Sequence, residues 1–66
     1  MKVKAKELEV GMVIVQNFLE QTVTWKSKPY KSGMKWWVDV LVESALGKER
    51  RSFRTTDIVF IKTITV

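Results

Sequence analysis

The 66-residue sequence has no cysteine and no histidine. Disulfide bridges are therefore excluded, and a zinc site built from thiolate and imidazole ligands has nothing to coordinate with. Proline occurs once, at Pro29, and glycine three times, at Gly11, Gly33 and Gly47, so the points where the chain can turn sharply are few. No apolar run reaches the length of a membrane span. The opening MKVKAKELEV alternates lysines with small apolar residues instead of presenting a signal-peptide core, which points to the cytoplasm. Catalytic chemistry would fall to Asp39, Asp57, the glutamates or a lysine, and no spacing forces two carboxylates together. The expectation is a non-enzymatic protein with no cofactor and no metal.

What is present argues for a folded domain. Hydrophobic residues make up 45% of the chain, with three tryptophans, three phenylalanines and a tyrosine, far from the composition of a disordered segment. A chain this short buries a smaller share of its surface than a larger domain does, so its stability must come from a dense core or a partner. Twelve lysines and arginines against seven acids give a net charge of +5, a bias toward polyanions.

The abundance of valine, isoleucine, threonine and tryptophan favours strands, and no segment has helical apolar spacing. Strands are predicted over residues 12–15, 22–28, 34–43, 48–54 and 58–66, with residues 6–9 as a loop or one helical turn. In the second strand Val23 and Trp25 are expected to share the core face. In the third, alternation assigns Met34, Trp36, Val38, Val40 and Val42 to the core, and Lys35, Trp37, Asp39, Leu41 and Glu43 to the other face. Residues 29–33 are expected to form a hairpin turn, because Pro29 cannot donate to a ladder and Gly33 tolerates positive φ, leaving Lys28, Pro29, Lys31 and Gly33 at an exposed tip. Residues 44–47 form a second tight turn, Phe53 points inward, and Thr55-Thr56-Asp57 turns the chain before the last strand. Lys2, Lys4 and Lys6 suit the outer face of an edge strand, where they discourage unwanted pairing. The sum is a single all-β domain, a small five-stranded SH3-like barrel.

The order of elements resembles the N-terminal KOW-like, SH3-type domain of the elongation factor P and initiation factor five A family. The resemblance lies in Leu8-x-x-Gly11-Met12-x-Ile14, in Lys28-Pro29-Tyr30-Lys31-Ser32-Gly33, in the Gly47 turn, and in Ser52-Phe53-Arg54-Thr55-Thr56-Asp57-x-Val59. It implies the barrel fold and a leaning toward nucleic acid. It also makes Lys31 the match for the family's hairpin lysine, which is modified and approaches transfer RNA. Tyr30 and Ser32 stand where the family's tip is glycine-rich, and translation-factor activity is not carried over.

The candidate binding surface comprises Lys26, Lys28, Tyr30, Lys31, Lys35, Trp37, Arg50 and Arg54, because strands two to four should neighbour one another. An indole beside cations suits stacking on an unpaired base of RNA or single-stranded DNA. The alternative for Trp37 is a second small core with Leu41, covered by residues 16–21 through Phe18 or Leu19. Asp39 reads as a counter-charge to Lys35 or Arg50. A rival function is protein binding, or pairing with a second copy, through the last strand, which is apolar on both faces apart from Lys62. The protein is thus expected to be a monomer or a homodimer, with no membrane partner.

Overall fold

The structure, a computed structural model, describes residues 1–62. It is all-β, with one 3₁₀ turn. The elements run β1 (Lys2–Lys4), a 3₁₀ turn (Ala5–Glu7), β2 (Val13–Gln16), β3 (Leu19–Lys26), β4 (Tyr30–Ser32), β5 (Lys35–Ser44), β6 (Gly47–Arg54) and β7 (Ile58–Phe60). There are thus seven strands among the described residues where five were expected. Lys2 and Lys4 stand on the short edge strand β1, and the helical turn expected over residues 6–9 falls at 5–7. The second half of the last predicted strand, residues 63–66, lies outside the described residues.

β5 organises the larger sheet. Its residues Val38, Val40 and Val42 alternate with period two and are fully buried. β6 pairs antiparallel with one edge of β5, from Trp37↔Arg54 to Ser44↔Gly47. β3 and β4 share the other edge, β3 opposite Val40–Glu43 and β4 opposite Lys35–Trp37, separated by Ser27, Lys28 and Pro29. β2 flanks β3, and β1 pairs with β7 in a second, two-stranded sheet. Past β7, Ile61 bridges to Ile14 and Lys62 N–H donates to the Val13 carbonyl at 2.8 Å, joining the two sheets along one seam. The N–H groups of Ala5 and Lys6 donate to the carbonyls of Asp57 and Thr55 at 2.8 and 3.1 Å. Between the sheets lies one core, with Ala5, Leu8, Ile14, Val23, Val59 and Ile61 packed around the three β5 valines.

Three hairpin loops have two residues each. Ala45-Leu46 falls within the turn expected there. Gly33-Met34 joins β4 to β5, with positive φ at Gly33, the first central position, as a type II′ loop requires. The expected tip over residues 29–33 is corrected accordingly: Tyr30, Lys31 and Ser32 pair with β5, and the turn itself is Gly33-Met34. Asn17-Phe18 joins β2 to β3 with φ of 50° and 64°, a type I′ arrangement.

Residues 16–21 do not form the expected cover: Phe18 is 104% exposed, Leu41 is 40% exposed, and β3 meets β5 only from Thr22 onward, which leaves Leu19 beyond the Glu43 end, away from Trp37. Trp25 and Trp36 are also corrected. The β3–β5 register shifts between Val23 and Trp25, so Thr24 is an extra residue, and its hydroxyl donates to the Leu41 carbonyl at 3.2 Å. The bulge reverses the alternation and turns Trp25, 45% exposed, to the side opposite Val23. Trp36 does share a face with Val38, but residues 30–36 run beyond the end of the core and all are exposed. Met34 and Trp36 are therefore solvated, Trp36 at 53%.

Candidate functional site

The outer face of the larger sheet is laid out in cross-strand rows by the pairing of β5. Leu41 stands between Trp25 on one side and Arg50 on the other. Two residues along, Asp39 stands beside Ser52, with Ser27 on its other flank: Ser27 N–H donates to the Asp39 carbonyl at 2.8 Å, and Asp39 N–H donates to Ser27 Oγ at 2.9 Å. Two residues further, Trp37 stands between Tyr30 and Arg54, and beyond it Lys35 pairs with Ser32. Trp37 is half-buried and its Nε1–H lies 3.4 Å from the Ser32 carbonyl.

Asp39 is the organising residue of this face. It is only 4% exposed although it points away from the core. Its carboxylate accepts hydrogen bonds from Ser52 Oγ at 2.7 Å and from the Tyr30 hydroxyl at 2.8 Å, and it forms an ion pair with Arg50 Nη2. A carboxylate taken out of water needs such partners to remain ionised. The Arg50 hydrogen bond first, then that of Ser52, holds the Asp39 carboxyl below its ordinary range. The same carboxylate raises the Tyr30 phenol above its ordinary value, chiefly through their hydrogen bond, and raises the Arg50 guanidinium likewise. Of the two counter-ions expected for Asp39, Arg50 is the one in place.

The eight candidate residues divide. Tyr30, Lys35, Trp37, Arg50 and Arg54 come together on the outer face. Lys28 is exposed in the connection that precedes β4. Lys26, displaced in phase by the bulge, lies opposite Val40, and its Nζ donates to the Lys6 carbonyl at 2.7 Å. Lys31 pairs with Trp36, on the face opposite Tyr30 and Trp37. The two arginines are both partnered, Arg50 with Asp39 and Arg54 Nε with Asp57 at 3.3 Å. The face is thus richer in exposed rings than in free charge.

Trp25 and Leu41 belong to it and sequence reasoning did not include them. Alternation already placed Leu41 opposite the core, but nothing in Thr22-Val23-Thr24-Trp25 marks the bulge that brings Trp25 beside it. No protein-family model matches the chain, and no curated protein matches it. Among the described residues there is no group of three metal-binding side chains and no helix long and apolar enough to cross a membrane.

Proposed function

We propose that the chain is a small SH3-like barrel that acts as a non-enzymatic module binding RNA or single-stranded DNA on the outer face of β3, β4, β5 and β6. The Ile14–Ile61 seam and the single core shared by both sheets support the barrel. The observation that carries the function is the gathering of Trp25, Tyr30 and Trp37 on one sheet face with Lys35, Arg50 and Arg54. Exposed rings interleaved with cations accept the faces of unpaired bases while the cations meet phosphates. A duplex hides its base faces, so a surface whose two arginines are already paired favours the single strand. The net charge of +5 adds long-range attraction.

The test is titration of tryptophan fluorescence with short single-stranded RNA and DNA at two salt concentrations, with Trp37→Ala alongside. Binding that weakens with salt and with the substitution, circular dichroism being unchanged, supports the reading; absence of binding at low salt overturns it.

A second reading rests on β7, where Ile58 and Phe60 are about half exposed beside Lys2 and Lys4. These apolar side chains suit an apolar patch on a partner protein. Such an interface would lose little affinity with added salt, which separates the two.

A further inference from the structure

We propose that Tyr30 and Arg50, locked together through Asp39, form a guanine-reading element within the single-strand site. This rests on the nucleic-acid reading above and adds a base preference to it.

The Tyr30 hydroxyl donates to Asp39 Oδ1 at 2.8 Å, and Arg50 Nη2 donates to Oδ2 of the same carboxylate. One carboxyl group thus holds the end of a phenol ring next to a guanidinium. The carboxylate is nearly buried and its third donor is Ser52 Oγ at 2.7 Å, so its orientation is determined from three sides. Tyr30 remains 40% exposed and the Arg50 side chain 64% exposed, so both can be reached by a ligand. Arg50 has five N–H groups and gives one to Asp39, leaving a planar fork free.

A base stacked on the Tyr30 ring brings its edge to that fork. An arginine fork requires two acceptors side by side. Guanine presents O6 and N7 on one edge, whereas adenine sets an amino donor beside N7 and would oppose the guanidinium with N–H groups. A phosphate would satisfy the fork but would gain nothing from the adjoining ring. A lysine in place of Arg50 would keep the charge and lose the planar geometry. Asp39 is a positioning residue, because it acts on the ligand only through Tyr30 and Arg50.

The experiment compares uridine hexamers carrying guanine, adenine or uridine at the centre, in ribo and deoxy series, by fluorescence anisotropy with the intact protein. Wild type is expected to bind the guanine hexamer about tenfold more tightly than the adenine one, within the discrimination of a good bidentate contact. Inosine, which keeps O6 and N7, should match guanine, and 7-deazaguanine should lose the preference. The guanine-to-adenine ratio should fall toward unity in Arg50→Lys and in Asp39→Asn. A structural role alone would not move that ratio. If Asp39→Asn fails to fold, the base analogues and Arg50→Lys still decide the matter. Equal binding of every hexamer, or preference for adenine, overturns the guanine reading while leaving the single-strand function standing. A preference in only one series assigns the sugar as well as the base. Failure of all hexamers to bind removes both proposals.

Discussion

Replacing Asp39 by asparagine keeps the side chain's shape and removes its charge, so it measures what the ionised carboxylate contributes to the fold. Three side-chain donors meet this group, from Arg50, Ser52 and Tyr30. A hydrogen bond to a charged group contributes about 1.5–3 kcal/mol, but the three do not add, since the freed hydroxyls and guanidinium can be hydrated. Asp39 is nearly buried but its partner Arg50 is mostly exposed, so solvent screens the ion pair. The expected loss at neutral pH is about 1–3 kcal/mol in all. Against a total of roughly 3–10 kcal/mol for a chain of this length, that is a large share. The pH dependence follows from the depressed pKa of Asp39 in the folded state. Its contribution is complete above the unfolded carboxyl value of about 3.9 and is lost as pH falls through the lower folded value. Protonated Asp39 resembles asparagine, so the gap between wild type and Asp39→Asn should begin to narrow once the pH falls below about 3.9 and keep closing toward the lower folded value. Urea unfolding followed by tryptophan fluorescence, from neutral pH down to about pH 3, reads both quantities. A gap below about 0.5 kcal/mol at neutral pH, or one that persists undiminished in acid, would refute the reasoning.

Leu8→Ala truncates a fully buried side chain in the core and should cost about 2–5 kcal/mol, read by urea unfolding. Phe18→Gly should do the reverse. A left-handed conformation costs a bulky residue about 1–2 kcal/mol, glycine returns about 0.5–1 kcal/mol of that as chain entropy, and Phe18 has no packing to lose, so thermal unfolding should show a modest gain in stability. Trp25→Ala should cost less in urea unfolding than Leu8→Ala, because Trp25 is 45% exposed where Leu8 is fully buried, and should weaken single-strand binding by about 1–3 kcal/mol, read by anisotropy.

The sequence by itself determined that the chain is all-β, which face of β5 is core along Val38, Val40 and Val42, and where the chain turns at Ala45-Leu46. Each of these is a local property: strand preference, a two-residue period, and the backbone freedom of Gly47. It also put Asp39 and Leu41 on the face away from the core. Tertiary structure decided the rest. Alternation assigns Trp36 to the same side as Val38, but a face is buried only where another element covers it, and among the described residues no element covers β5 at that end. Trp25 left the core because one extra residue at Thr24 reverses every side chain after it, and register is settled between strands, by β3 against β5. Asp39 became the centre of the site for a similar reason. Its carboxylate is met by Tyr30 and Arg50, nine and eleven residues away, only because β4 and β6 pair with opposite edges of the same strand.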